Sequence, residues 1–264
     1  MERTESGEMP FLDHLEELRQ RIIRSLAALV VGALAALLVV MNVNVLGFLA
    51  RPILPYMQGR KLVYTHPADP FSIVMTAALG LGILFALPVI LYQLWAFLSP
   101  ALYKHERRVA LWVLGSGSGL FALGAAMAYF LILPMTLKFL IGLQPASMEP
   151  MITASDYFGF TIMMMLVFGA VFELPLVIVA LAALGLVTPK MLRGTRRAAV
   201  VTIVAGACVI TPGDLIVTSA ALAVPMYLLY EASILVSGVV YRRRGRRAAE
   251  SEPVPAATPK PDDA

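Results

Sequence analysis

The chain has 264 residues, of which 59% are hydrophobic and only 14% are charged, and its mean hydropathy is +0.80. Soluble domains usually carry about 25% charged and 45–50% apolar residues, so this composition excludes a water-soluble globule, a disordered chain and a disulfide-rich secreted module. The net charge is +4, but the basic residues punctuate hydrophobic segments and share no soluble face that would bind nucleic acid. The sequence therefore predicts an integral membrane protein.

Six hydrophobic segments follow an amphipathic N-terminal helix at 10–24. A membrane span needs about 20 mostly apolar residues. The last two segments have 16 residues each, and a helix of that length reaches only about 24 Å. We expect prolines inside four of the spans to kink them. The predicted spans are 25–49, 71–103, 109–137, 157–187, 198–213 and 215–230, and the prolines are Pro88, Pro134, Pro175 and Pro225.

The distribution of lysine and arginine predicts the orientation of the spans. Seventeen of the 21 lie in the N-terminal segment, the second and fourth loops and the C-terminal tail, and four lie on the other side. Cytoplasmic segments carry the excess of basic residues, so both termini are predicted to be cytoplasmic. The predicted organisation is all-α: a cytoplasmic amphipathic segment (1–24), a six-helix transmembrane domain (25–241) and a disordered cytoplasmic tail (242–264) rich in proline, alanine and acidic residues.

The motifs of intramembrane catalysis are absent from the sequence. The three histidines lie outside the predicted spans, and there is no HExxH, no GxSxG and no phosphate-binding loop. The sequence therefore predicts no enzymatic activity, no metal and no cofactor. The glycine-rich segment 115–119 places Gly115 and Gly119 at helical spacing, which predicts close helix packing there.

Acidic residues on the N-terminal helix are the first candidates for function. Glu17 lies nearly opposite the apolar stripe of this helix, where Arg21 is available for an i,i+4 ion pair that contributes about 0.2–0.5 kcal/mol. Arg19 falls within the stripe and is expected to need a buried partner. The stripe is formed by Leu12, Leu15, Leu18 and Ile22.

Three further acidic positions stand out. Glu106 is the only acid in a short basic loop, where neutralising its neighbours and a functional role are equally good interpretations. Glu173 lies at the middle of its predicted span, where a charge costs at least about 2.5–3.5 kcal/mol, which favours a functional or assembly role. Asp214 lies in a TPGD turn, with Glu231 beyond it, and a simple turn or capping role remains open for it.

Five segments taken together resemble the TatC family of the twin-arginine translocase. They are HLEELRQR (14–21), YQLWAFLSPALYKHERR (92–108), FELP (172–175), TPGD (211–214) and PMY (225–227). The resemblance implies a receptor in the bacterial cytoplasmic membrane for signal peptides with paired arginines. It also implies that single-span TatA- and TatB-type subunits join several copies of the chain in a hetero-oligomer. Such a complex would export folded proteins using the proton-motive force.

The resemblance further implies roles for matching residues. Glu17 and Glu106 would receive the two arginines, and Arg19 and Phe97 would belong to the same signal-peptide site. Glu173 would be the intramembrane acid of the family. One position departs from the family pattern, since Thr218 stands where relatives often have glutamine. The remaining matches, expected to serve partner helices or structure, are Pro52, Thr211, Asp214 and Glu231.

A proton-coupled transporter of small solutes is the alternative that the residues leave open. Glu173 would then carry the proton across the membrane. The sequence has a single acid deep in a span and no internal repeat, and both features disfavour a secondary transporter.

Overall fold

The computed structural model describes residues 9–57, 59–98, 107–143, 151–210 and 217–251. Most of these residues are helical, and the only β-type contact within the described ranges is an isolated bridge between Val63 and Thr153. The predicted all-α class is confirmed for this part of the chain. The helices are α1 (Met9–Asn42), α2 (Val45–Ala50), α3 (Asp69–Leu98), α4 (Arg107–Met127), α5 (Leu133–Gly142), α6 (Ala154–Phe172), α7 (Leu174–Leu184), α8 (Pro189–Gly194), α9 (Arg196–Ile210) and α10 (Val217–Ser251).

Five segments of the described chain are long and apolar enough to cross a membrane. Helix α9 is not among them, because its 15 residues reach only about 22 Å. It covers most of the predicted fifth span, whose last three residues lie outside the described ranges. Six spans and cytoplasmic termini therefore stay predictions. The five segments are Leu15–Asn42, Asp69–Phe97, Gly115–Gly142, Ala154–Ala182 and Thr218–Gly238.

The first span ends earlier than the sequence predicts. Helix α1 stops at Asn42 rather than continuing to residue 49. The side chain of Asn44 accepts a hydrogen bond of 2.9 Å from the backbone N–H of Gly47, which starts the separate short helix α2. Asparagine side chains compete for backbone hydrogen bonds and favour helix starts over helix interiors, so the apolar run 43–49 forms a second element.

The four prolines have different effects. Pro134 follows a π-helical turn at Ala128–Ile132, and Pro175 lies in the first turn of α7, just after the break between α6 and α7. A missing N–H and a crowded ring explain why the regular pattern stops at such positions. Pro88 and Pro225, in contrast, lie inside the uninterrupted helices α3 and α10.

The last helix extends further than the sequence predicts. Helix α10 runs to Ser251, so residues 242–251 are helical where a disordered tail is expected. Most of these residues are arginine or alanine, which are strong helix formers, and proline first recurs at Pro253. Residues 252–264 lie outside the described ranges, and disorder there stays a prediction.

Small residues set the closest helix contacts. Helix α1 packs on α3, and a β-carbon built on Gly82 would lie only 2.6 Å from Cα of Ala33. Helix α4 packs on α6, where a β-carbon on Gly124 would lie 2.6 Å from the carbonyl oxygen of Phe168. Without a β-carbon, the backbones can approach this closely.

The prediction that Gly115 and Gly119 pack closely against another helix is wrong. Gly115 and Gly119 face open space, whereas Gly117 between them faces Leu91, Leu176 and Glu173. Residues 115 and 119 share one face of α4, and residue 117 lies on another. The face in contact with the other helices is the second one, which places α4 directly against Glu173.

Two tyrosines fasten α2 to the long helices. The hydroxyl of Tyr129 donates to the carbonyl oxygen of Phe48 (2.5 Å), and that of Tyr157 donates to the carbonyl oxygen of Leu49 (2.8 Å). Pro52 lies in the turn that follows α2. Because α2 follows the C-terminal end of α1, Pro52 belongs to the end of the bundle opposite Glu17.

Candidate functional site

An ion pair marks the N-terminal end of α1. Oε1 of Glu17 accepts hydrogen bonds from Nη2 and Nε of Arg21 at 2.5 and 3.1 Å. This is the i,i+4 pair expected from the sequence, and the structure confirms it. The Glu17 side chain is 35% exposed and that of Arg21 is 18% exposed. The cation therefore lies deeper in the protein than the carboxylate.

Helix α3 completes this cluster. Nη1 of Arg21 also donates to Oε1 of Gln93 at 3.5 Å, and Gln93 is only 8% exposed. Phe97 lies one turn further along α3 and is partly buried, so it shares a face with Gln93. The structure thus places Phe97 on the side of α3 that meets the Glu17 end of α1. Sequence reasoning missed Gln93, although a lone amide inside an apolar segment is the signal that could have found it.

Arg19 corrects a prediction. Its side chain is 71% exposed and lies 3.5 Å from the exposed carboxylate of Glu16. The prediction that Arg19 has a buried partner is therefore wrong. Two apolar residues of the stripe that contains Arg19, Leu15 and Ile22, are exposed as well, whereas Leu18 is half-buried. Helix α1 meets α3 on another face, the one that carries Arg21 and Gly32. Leu15 and Ile22 are therefore left for lipid or another chain.

Three predicted site residues cannot be placed. Glu106, Thr211 and Asp214 lie outside the described residues. The expected pairing of Glu106 with Glu17 in one site therefore stays a prediction, as does the polar turn at 211–214.

Glu173 lies at the break between α6 and α7. Both of its carboxylate oxygens are buried, and within the described part of the chain neither has a hydrogen-bond partner. Gly117 of α4 faces it so closely that a β-carbon there would lie 3.2 Å from Oε2. The neighbouring Ser118 hydroxyl is also buried without a described partner. Unsatisfied buried polar groups reduce stability, so this position carries a free-energy cost.

Glu231 joins α9 to α10. Its carboxylate accepts hydrogen bonds from Nη2 of Arg196 at 2.7 Å and from the hydroxyl of Tyr227 at 2.9 Å. The hydroxyl of Tyr230 donates to the carbonyl oxygen of Leu192 at 2.7 Å, which ties α8 to the same end of α10. Sequence reasoning did not identify Arg196 as the partner, because 35 residues separate the two side chains.

Thr218 is buried near the start of α10. Within the described residues, the structure shows no cluster of histidine, cysteine, aspartate and glutamate that could hold a metal ion.

Comparison with known proteins establishes the family. The sequence model of the family "Sec-independent protein translocase protein (TatC)" matches residues 13–225. A TatC protein of Desulforapulum autotrophicum is 34% identical over 95% of this chain and 93% of its own length. The chain belongs to the TatC family. The resemblance found in the sequence is thereby confirmed.

Further TatC proteins support the assignment along nearly the whole chain. TatC of Aquifex aeolicus is 36% identical over 89% of this chain and 98% of its own length. TatC of Escherichia coli K12 is 34% identical over 91% of this chain and 92% of its own length.

Solved structures agree with the fold. A crystal structure of the twin arginine translocase receptor TatC superimposes with a TM-score of 0.69 at 36% identity, covering 86% of this chain and 99% of that one. A second, in DDM, gives a TM-score of 0.71 at the same identity and covers 85% and 99% of the two chains.

Family membership settles the class of function. This TatC-family chain is a multi-pass protein of the bacterial cytoplasmic membrane and a component of a protein translocase. The family is a transport family and not one of catalytic enzymes. Protein translocation, rather than solute uptake, is the activity to be explained.

Proposed function

We propose that this chain is the signal-peptide receptor and a core component of the twin-arginine translocase. It would work with TatA- and TatB-type single-span subunits in a complex that holds several copies of the chain. The complex would export folded proteins across the cytoplasmic membrane at the expense of the proton-motive force. Similarity to a crystallised twin arginine translocase receptor along 86% of the chain supports this function.

The observation that carries the proposal is the partly exposed carboxylate of Glu17 at the end of α1. The surrounding segments, predicted to be cytoplasmic, hold most of the basic residues of the chain and would repel an indiscriminate cationic ligand. A carboxylate on that surface can still bind a guanidinium group through two parallel hydrogen bonds. We assign the second carboxylate of the site to Glu106.

Phe97 and Arg19 complete the proposed site. Phe97 lies one turn beyond Gln93, toward the Glu17 end of α1, where its ring is proposed to contact the apolar part of a signal peptide. Arg19 is exposed next to Glu16 and is assigned to the outer rim. Exposed ion pairs contribute about 1 kcal/mol or less each, so most of the affinity must come from the hydrophobic stretch of the signal peptide. The exposed side chains of Leu15 and Ile22 on α1 are proposed to offer an apolar surface for that stretch.

Binding by purified full-length protein tests the receptor function. A fluorescent signal peptide with paired arginines should bind, and the matched peptide with paired lysines should bind more weakly. Glu17→Gln and Glu106→Gln should each raise the Kd for the arginine peptide, and the double variant should raise it further. Glu16→Gln removes the same charge from the neighbouring position and serves as the matched control. Unchanged binding by the double variant would refute the assignment.

Glu173 is proposed as an intramembrane polar contact for the signal peptide or a partner helix. Because both carboxylate oxygens are buried beside Gly117, such a contact requires α4 and the α6–α7 break to separate. Export of a reporter protein by Glu173→Gln and Glu173→Ala in cells tests this role, with membrane insertion checked by immunoblotting. Normal export by Glu173→Ala, which has no polar side-chain atom, would exclude it.

We propose the edge formed by α9 and α10 as the docking surface for a TatA- or TatB-type helix. Val201, Val209, Val224 and Leu228 are exposed along this edge, and the polar turn with Thr211 and Asp214 connects the two helices in the sequence. The pair between Arg196 and Glu231 holds the edge together at one end, and Pro52 is proposed to support the opposite end of the bundle.

Cysteine crosslinking tests this docking surface, once the native Cys208 has been replaced. Cysteines at Val201 and Val224 should crosslink to a single-span subunit. Cysteines at the fully buried positions Ala207 and Leu222 are the matched controls. Equal yields at exposed and buried positions, or none at all, would contradict the assignment.

A further inference from the structure

Arg21 is a cation in direct contact with Glu17, and it belongs to the protein rather than to the ligand. It donates two N–H groups to Glu17, and a third points to Gln93 on α3. It is also less exposed than Glu17, so an incoming peptide meets the carboxylate before it meets Arg21. The neighbouring Glu16 is likewise matched with a cation on the same helix, Arg19.

An internal cation changes what the carboxylate can recognise. The Glu17–Arg21 pair has no net charge, so it attracts an approaching cation much less than a lone carboxylate would. Lysine offers little more than a point charge, whereas the guanidinium of arginine presents a planar fork of directional donors. A carboxylate has about four acceptor positions, and both hydrogen bonds from Arg21 go to the same oxygen, Oε1.

We propose that Arg21 is a specificity-determining residue that sets the preference of Glu17 for guanidinium over ammonium groups. By balancing the charge of Glu17, Arg21 removes the general attraction for any cation and leaves directional hydrogen bonding as the basis of recognition. Gln93 holds the Arg21 side chain against α3, so that Arg21 neutralises Glu17 from the less exposed side. This inference rests on the proposed receptor function.

The test compares two peptides on one preparation of full-length protein. Kd is measured for a signal peptide with paired arginines and for its paired-lysine form, using wild type and Arg21→Gln. Removal of Arg21 should strengthen lysine-peptide binding about fivefold and arginine-peptide binding less, as expected when one balancing positive charge is taken away from a surface site. The selectivity ratio therefore falls. Any inactive fraction affects both peptides alike and cancels in that ratio.

Two variants make the result specific. Arg24→Gln removes the same charge from the next turn of α1 and should leave the ratio at the wild-type value. Arg21→Lys retains the positive charge beside Glu17 and should also retain most of the selectivity. An unchanged ratio in Arg21→Gln, including one that accompanies weaker binding of both peptides, would overturn the inference and leave Arg21 as a support for Glu17.

A Glu17→Gln variant separates this inference from the receptor assignment. If the receptor function holds, Glu17→Gln weakens binding of both peptides, and adding Arg21→Gln changes the ratio no further. Undiminished arginine-peptide binding by Glu17→Gln together with Glu106→Gln would refute the receptor site itself. If Glu17→Gln weakens peptide binding but Arg21→Gln leaves the selectivity ratio at the wild-type value, only the role of Arg21 is refuted.

Discussion

Glu17 and Glu173 have the same side chain and opposite surroundings. Glu17 is partly exposed and bonded to Arg21 at the end of a helix, whereas Glu173 lies at a helix break with both oxygens buried and no described partner. A surface pair contributes little to stability in either direction, but an unsatisfied buried carboxylate weakens the fold. The difference shows that the same carboxylate has different costs in the two places. At Glu17 a neighbouring cation balances a charge that a ligand can reach, whereas at Glu173 the fold buries a polar group without a described partner.

The largest expected effect comes from removing the buried carboxylate. Glu173→Leu should increase the free energy of unfolding by about 2 kcal/mol, because it replaces an unpartnered polar group with an apolar one. Thermal unfolding of the purified protein in detergent measures the change. Glu231→Leu is the matched control and should lower the stability, since it leaves Arg196 unpaired. A loss of stability in Glu173→Leu would show that the carboxylate has a stabilising partner after all.

Gly117 tests how tightly Glu173 is enclosed. Gly117→Ala should be less stable than Gly119→Ala by about 1.5 kcal/mol, because its β-carbon would lie 2.5 Å from Cδ1 of Leu91 and 3.2 Å from Oε2 of Glu173. Gly119 faces open space, where alanine benefits from its higher helix propensity. Equal thermal stability of the two variants would mean that α4 does not press on Glu173.

Glu231 offers an intermediate case between the two glutamates. Glu231→Gln should lower the stability by about 0.5 kcal/mol, since the Arg196 side chain is half-exposed and its attraction is screened by water. The amide oxygen can still accept the hydrogen bond from Tyr227. Chemical unfolding at low and high salt measures this change, and a loss that is equally large in 1 M salt would contradict a screened ion pair.

The smallest effect is expected at Glu17. Glu17→Gln should alter the free energy of unfolding by no more than about 0.5 kcal/mol, and salt should abolish the difference. The same variant should weaken signal-peptide binding, so stability and binding separate at this residue. Paired unfolding and binding measurements on one preparation check this, and a large loss of stability would mean that the pair with Arg21 is structural.

Much of the architecture follows from local rules. Long apolar runs predicted the spans in α1, α3, α4, α6 and α10, because hydrocarbon accepts only backbones that satisfy their own hydrogen bonds. The Glu17–Arg21 pair was equally predictable, since an i,i+4 contact depends only on the helix that holds both residues. The early end of α1 was missed because the pattern of hydrophobicity does not report the competition of Asn44 for backbone donors.

The sequence by itself determined the apolar runs that become the five candidate spans, and it indicated the family, because composition and spacing act along the chain. Only the tertiary structure decided that Arg19 points outward, that Arg21 reaches Gln93, and that Gly117 rather than Gly115 meets its neighbours. Helical periodicity shows which residues share a face, but which face meets another helix depends on where the backbones approach most closely. Here that choice is made at Gly82 and Gly124, whose missing β-carbons let one pairing of surfaces pack more closely than the others.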